Sequence, residues 1–151
     1  MEEQLVQELK KVFASTYAFY LKAQYYHWNV EGPNFPQYHE FLGNIYEEVG
    51  GAIDKMAEHI RALDAYAPGS FERLAELSAI QGDNMIIPAR DMIANLLADN
   101  DKLTPMLISV MKKAEAVDRY GTANFIQDRI EAHRLHSWML KATLKWENTD
   151  Q

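Results

Sequence analysis

The sequence predicts an all-α protein, a four-helix bundle with a short extra helix in its long middle connection. Three observations carry that expectation. Apolar residues recur at steps of three and four through long stretches. Prolines, glycines and capping residues divide those stretches into four long segments. The connection between the second and third segments is too long for a simple turn between neighbouring helices. With 151 residues and 48% hydrophobic content, the chain fits one domain spanning residues 1–151.

The first segment carries Leu5, Leu9, Val12, Thr16, Tyr20, Ala23 and His27 at helical spacing, which puts His27 on the inward stripe. The second carries Tyr38, Leu42, Ile45, Val49, Ile53, Met56 and Ile60, beginning just after Pro36 and ending near Pro68-Gly69. Ser70 ahead of Phe71-Glu72-Arg73 suits the N-cap of a short helix within the crossover. Pro88 can open the third long helix, through Met92, Leu96 and Leu97. Thr104-Pro105 reads either as a cap with a first helical residue or as a kink. Gly121 is expected to end that segment and Thr122 to cap a fourth helix with Phe125, Ile126, Ile130, His133, Leu140 and Leu144. One long middle connection among four helices is ferritin-like topology.

Composition removes several function classes. Without cysteine there are neither disulfides nor thiolate metal sites, so imidazole, carboxylate and water are the ligands on offer, which suit iron, manganese or zinc. The formal net charge is -7, and Lys10-Lys11 and Lys112-Lys113 are isolated pairs, so no basic nucleic-acid surface is visible. The start, Met1-Glu2-Glu3-Gln4, lacks a signal peptide's basic patch and apolar core, and no apolar run approaches the roughly 20 residues of a membrane span. A cytoplasmic protein is expected. No phosphate-binding glycine loop, nucleophile elbow or thiol nucleophile supports a kinase or hydrolase.

Four residues are candidates for metal chemistry: His27, His39, Asp54 and Glu58. The two histidines flank a loop carrying Gly32, Pro33 and Pro36, so an antiparallel hairpin would set them opposite one another. Asp54 and Glu58 stand at i, i+4 and project from one side of the second helix. Each feature alone has an ordinary alternative, a packed core histidine or a solvated acidic face. Distance sharpens the choice. His39 and Asp54 are separated along one helix by roughly 22 Å, at about 1.5 Å per residue. A single site therefore needs two subunits, or a break at Gly50-Gly51 that the apolar register does not suggest.

Gly43, Gly50 and Ala57 recur every seven residues beside the carboxylates. Each glycine costs about 1 kcal/mol of helix propensity relative to alanine, which a closely packed two-fold partner would offset. His59 points away from Glu58 around the helix, and His133 and His136 share a face with no acidic neighbour in sequence; these read as structural. His39-Glu40-Phe41-Leu42-Gly43 fails the H-E-x-x-H zinc pattern, and no Glu-x-x-His supports a di-iron site inside one bundle.

On "HWNVEGPNFPQYHEF", "DKMAEHI" and "WMLKATL", the chain resembles the Dps family, the DNA-binding proteins from starved cells, within the ferritin-like superfamily. The resemblance covers essentially the whole chain. It implies a hollow homododecamer that acts as a ferroxidase, oxidises Fe(II) typically with hydrogen peroxide, and stores ferric mineral, protecting against oxidative stress. It implies that His27, His39, Asp54 and Glu58 are catalytic and metal-ligating residues at two-fold interfaces, holding one or two irons per site. Glu58 would bridge, Asp54 would be a terminal ligand, and Trp28 would pack on the site and intercept oxidising equivalents.

Two departures stand out. Gly43 replaces an Asp found in many relatives, which affects the second metal position. Asn124 dilutes the acidic pore lining, leaving Asp128 and Glu131 to draw in iron. Relatives that bind DNA commonly carry lysine-rich tails. Here Glu2 and Glu3 open the chain and Glu147-Asn148-Thr149-Asp150-Gln151 close it, so DNA binding is not expected. The alternative is a structural or DNA-compacting shell with a weakened metal site, and a catalytic dimer without storage stands beside both.

Overall fold

The structure, a computed structural model, describes residues 1–146. The C-terminal residues Glu147 to Gln151, weighed above for DNA binding, lie outside the described residues. Five helices follow in order: α1 (Glu2–Asn29), α2 (Phe35–Ala62), α3 (Phe71–Leu77), α4 (Ala89–Ala116) and α5 (Tyr120–Leu144). α1 pairs with α2 and α4 with α5, the two hairpins meet mainly through α1 and α4, and α3 lies against α1.

One hydrophobic cluster joins the four long helices. The apolar stripes supply it: Leu5, Leu9 and Phe19 from α1, Leu42, Ile45 and Met56 from α2, Leu96 and Leu103 from α4, Ile126 and Leu140 from α5, all essentially inaccessible. Each such side chain contributes about 1.5–3 kcal/mol by leaving water. Among the described residues no helix is long and apolar enough to cross a membrane.

The α1–α2 turn is set by backbone geometry. Gly32 has φ 106 and Asn34 φ 66, left-handed positions that glycine and asparagine tolerate best. Pro36 sits in the first turn of α2, where its missing N–H costs nothing. Ser70 caps α3 by accepting a hydrogen bond from the Arg73 amide at 3.1 Å, and Pro88 is the N-cap of α4. These match expectation.

Three boundaries differ. α2 ends at Ala62 and not near Pro68-Gly69, because Asp64 turns left-handed at φ 63 and the Leu63 and Ala65 amides fold back onto the Ile60 carbonyl. α4 ends at Ala116 and not at Gly121, with Asp118 at φ 63 making the turn. Thr122 is then a buried residue inside α5 and no cap. Thr104-Pro105 lies within α4, where the Thr104 hydroxyl donates back to the Asn100 carbonyl at 2.9 Å, so the cap alternative is excluded.

Candidate metal centre

His27 lies in the last turn of α1 and His39 in the first turns of α2, so the turn brings them face to face. Their rings stack, with centroids 3.8 Å apart and planes 16° from parallel. Each Nδ1 donates to the other residue's backbone carbonyl, His27 to His39 at 2.6 Å and His39 to His27 at 2.8 Å. A carbonyl only accepts, so both Nδ1 atoms carry hydrogen, and the neutral form of each ring has its lone pair on Nε2. Neither Nε2 makes a hydrogen bond among the described residues. Backbone hydrogen bonding of this kind orients an imidazole ligand before any metal arrives.

The pair is also braced sideways. Phe35 stacks on the outer side of His39 at 5.1 Å, and Tyr46 lies 5.1 Å from His27. Gly43 backs His27 directly: a Cβ there would come within 3.0 Å of ring atoms Nδ1 and Cε1. Trp28, the next residue, is 60% exposed. It borders an open cavity of about 610 Å³ with Tyr17, Leu21, Phe71 and Leu74.

Asp54 and Glu58 are not part of this cluster. Both are exposed and neither makes a hydrogen bond or ion pair among the described residues. α2 runs unbroken through Gly50-Gly51, so the separation of roughly 22 Å expected at about 1.5 Å per residue stands. Among the described residues no three His, Asp or Glu side chains gather as a metal-binding group.

The glycine strip serves another purpose than expected. A Cβ on Gly50 would meet the Tyr20 ring at 2.7 Å, and one on Gly43 the His27 ring. Both glycines therefore seat aromatic rings of α1 from the same chain, and the two-fold partner inferred for them is not what they contact. His27 and Tyr20 are seven residues apart, as are Gly43 and Gly50, so antiparallel helices meet in register.

The remaining histidines are tied into structure. His59 Nδ1 contacts the Thr122 hydroxyl at 3.1 Å and its ring stacks on Phe125. Burial and the Lys55 charge push its pKa down. His136 Nε2 lies 2.8 Å from Glu48, which Arg129 grips through two nitrogens at 2.6 and 3.0 Å. Burial pushes the Glu48 carboxyl up, but hydrogen bonds from His136 and Arg129 outweigh it and hold the group well below the usual range. His133 donates to Asn100 Oδ1 at 2.7 Å; burial, then the Arg129 charge, push its pKa down to about 3. The acidic partner missing near these histidines in sequence is Glu48, from a different helix.

Asn124, Asp128 and Glu131 are exposed on one outward face of α5 and make no hydrogen bond or ion pair among the described residues.

A bundle of this topology, with an oriented imidazole pair and a bare carboxylate pair on one hairpin, defines a ferritin-like protein. The ferritin-like domain matches residues 6–148. The chain is 32% identical to a low temperature-induced protein of Nostoc sp., over 91% of this chain and 78% of that one. It is 32% identical to the DNA protection during starvation protein of Brevibacillus brevis, over 91% and 92%. The crystal structure of a Dps protein from Vibrio cholerae, described as a ferritin-like diiron-carboxylate protein, superposes with a TM-score of 0.91 at 27% identity, covering 95% and 91%. The chain belongs to the Dps family of the ferritin-like superfamily. That membership supports iron binding, iron storage and DNA protection as general family functions.

Proposed function

We propose that this protein is a cytoplasmic ferroxidase and iron store: it oxidises Fe(II), with hydrogen peroxide or oxygen, at sites shared between two-fold-related subunits of a hollow homododecamer. One observation carries this reading. His27 and His39 present two oriented Nε2 atoms at one end of α2, while Asp54 and Glu58, with no hydrogen bond or ion pair among the described residues, stand too far along the same helix to complete the set. A two-fold axis that brings an antiparallel copy of α2 alongside would complete two equivalent sites at once. The exposed apolar residues Trp28 and Phe71, 60% and 83% accessible around the cavity beside α1, fit a surface that a second copy covers.

In the assembled site His27 and His39 act as neutral nitrogen donors, Glu58 bridges and Asp54 is a terminal ligand. Nitrogen and carboxylate donors suit both oxidation states of iron. Iron is the substrate here. It gives up an electron at the site and passes into the shell as ferric mineral. Asp128 and Glu131, with the neutral Asn124, form the entry face. DNA is not part of the reading, since the net charge is -7 and the first turn of α1 is acidic. Gly43 favours a second reading, a structural or DNA-compacting shell with a weakened site, because the position that would supply a further carboxylate is filled by the His27 ring.

Subunit mixing tests the proposal. His27→Ala and Glu58→Ala are each expected to oxidise Fe(II) with peroxide no faster than buffer does. Dissociated and reassembled together, they regain activity, because each mixed pair contains one site with both wild-type halves. Continued inactivity of the mixture, with wild type recovering fully from the same treatment, would show that the site is not shared. A low-salt gel shift that retains DNA would favour the shell.

A further inference from the structure

The crossover between α3 and α4, residues 78–88, carries no helix or strand, and side chains of α1 hold it. Its fastening points follow α1 toward the metal centre. Ser15 Oγ accepts from the Ala79 amide at 2.9 Å, and Lys22 donates to the Gln81 carbonyl at 3.0 Å. Tyr26 donates to Asp83 Oδ2 at 2.6 Å, and Tyr25 to the Met85 carbonyl at 2.8 Å. The Met85 amide in turn donates to Asp83 Oδ1 at 2.9 Å, so Asp83 and Met85 form one clasp on two adjacent tyrosines. The next residue of α1 is His27.

Two of these bonds exceed what holding a loop requires. Tyr26 is fully buried, and its hydroxyl, which accepts from Asn95 Nδ2 at 3.0 Å, needs an acceptor for its own proton. Any carbonyl would serve. The acceptor here is a carboxylate, which makes the bond short and charge-assisted. That bond, then the one from the Met85 amide, holds the Asp83 carboxyl below the usual range, so it stays ionised at neutral pH. Tyr25 is half-buried and could hand its proton to water, yet it reaches Met85, 60 residues along the chain.

Adjacent residues on a helix point about 100° apart, so the clasp grips α1 from two directions and resists both lifting and rotation of its last turn. Helix ends fray, and this one carries a candidate ligand. The His27 carbonyl receives His39 Nδ1 at 2.8 Å, and the His27 ring stacks on His39 at 3.8 Å. Both contacts depend on the angle of position 27 about the helix axis.

We propose that Asp83 is a positioning residue for the metal site: through Tyr26, and through Met85 on Tyr25, it locks the last turn of α1 and so keeps His27 aimed against His39. The proposal rests on the metal-oxidation reading above. It assigns part of the site's preparation to the crossover, which contributes no ligand.

Asp83→Ala, Tyr26→Phe and the double variant test this in the native assembly, with Ser15→Ala removing a bond at the far end of the same crossover. Calorimetric titration of Fe(II) under nitrogen reads affinity. Co(II) added at a sub-saturating level reads the ligand geometry through its visible bands. Hydrogen exchange of residues 25–30 without metal reads the turn. Asp83→Ala and Tyr26→Phe are each expected to speed exchange, to weaken the Co(II) bands several-fold and to lower Fe(II) affinity by about 10-fold, the lower end for a residue that supports a ligand. The double variant is expected to match the singles, because both remove one bond. Ser15→Ala is expected to keep wild-type affinity and bands. If Asp83→Ala does not assemble, Tyr26→Phe, which keeps the ring in the core, decides alone. Unchanged affinity and bands in a variant whose turn exchanges faster overturn the positioning role and leave the metal site standing. An equal loss in Ser15→Ala also overturns it, since the whole crossover and not the clasp would then matter. Wild type that binds metal no more tightly than His27→Ala removes both readings.

Discussion

Two histidine pairs in this molecule share chemistry and differ in what surrounds their nitrogens. At the hairpin end, His27 and His39 spend Nδ1 on backbone carbonyls and leave Nε2 open. Inside the bundle, His133 spends Nδ1 on Asn100, and its Nε2 is faced by the Arg129 guanidinium at 3.4 Å. A cation cannot approach a lone pair already turned toward a buried positive charge. His136 directs its Nε2 to Glu48, which Arg129 also holds, so no carboxylate is left over for a metal. What leaves the hairpin pair open to a ligand is therefore what its second nitrogens are not doing, and the interior pair is a structural clamp between α2, α4 and α5.

Removing Glu48 probes the clamp and carries the largest expected effect. The Arg129 side chain is only 6% exposed, so Glu48→Ala leaves a buried guanidinium unpaired. Breaking such a pair costs about 3–5 kcal/mol. The lower bound applies, because the Glu48 side chain is 40% exposed and water screens part of the loss. Urea unfolding should show it, while iron oxidation per folded subunit is unchanged. The clamp also has a pH signature. The depressed Glu48 pKa gives stability that is present above the unfolded value of 4.5 and lost as pH falls through the folded one. His133 acts in the same direction: between pH 6.5 and about 3 the unfolded chain binds a proton that the fold refuses, so stability rises with pH across that window. Glu48→Ala should flatten the part of the curve below pH 4.5. A variant that unfolds like wild type but loses iron oxidation would abolish the distinction between the two pairs.

Gly43→Ala makes the opposite test at the hairpin pair. Its Cβ would stand 3.0 Å from the His27 ring, so the imidazole must shift. Overpacking costs about 1–3 kcal/mol, while replacing a helical glycine returns about 1 kcal/mol, so unfolding changes little. Disturbing the support of a ligand histidine typically costs 10–100-fold in metal affinity, roughly that range being expected here. Calorimetric titration of Fe(II) under nitrogen into the native assembly reads it. Unchanged affinity with a shifted His27 would mean that the stacked arrangement does not prepare the site.

Much of this was legible in the sequence for a physical reason. Helical periodicity, the Ser70 cap, Pro88 and the face-to-face histidines are local consequences of spacing, and the separation of His39 from Asp54 follows from helix rise alone. The helix ends at Asp64 and Asp118 were hidden because an aspartate takes the left-handed turn usually assigned to glycine. The glycine strip was visible, but spacing on one helix does not say which neighbour it faces, and Tyr20 and His27 of the same chain occupy it. The clamp was hidden for another reason. Glu48 lies 81 residues from Arg129 and 88 from His136, and only folding makes them neighbours. Tyr46 left a faint signal, an aromatic residue between Gly43 and Gly50, which gains meaning once the α1 register is known.

The smallest expected effect lies on the outward face of α5. In the proposed entry role Asp128 and Glu131 act on iron before it binds, so neutralising them should change how fast Fe(II) reaches the hairpin pair and not how tightly it is held. Their carboxylates are exposed, and Arg134, also exposed, follows Glu131 by three residues on the same helix and offsets part of their field. In Asp128→Asn with Glu131→Gln, stopped-flow oxidation should slow by a few-fold at low salt. The difference should fade at high salt, where the screening length falls to about 3 Å at 1 M and exposed charges no longer act at range. Fe(II) affinity measured at equilibrium should match wild type, the reverse of Gly43→Ala. Equal rates at every ionic strength would show that iron reaches the site by another path. A lowered affinity would instead show these carboxylates acting at the metal centre itself, and the separation of entry from binding would fall.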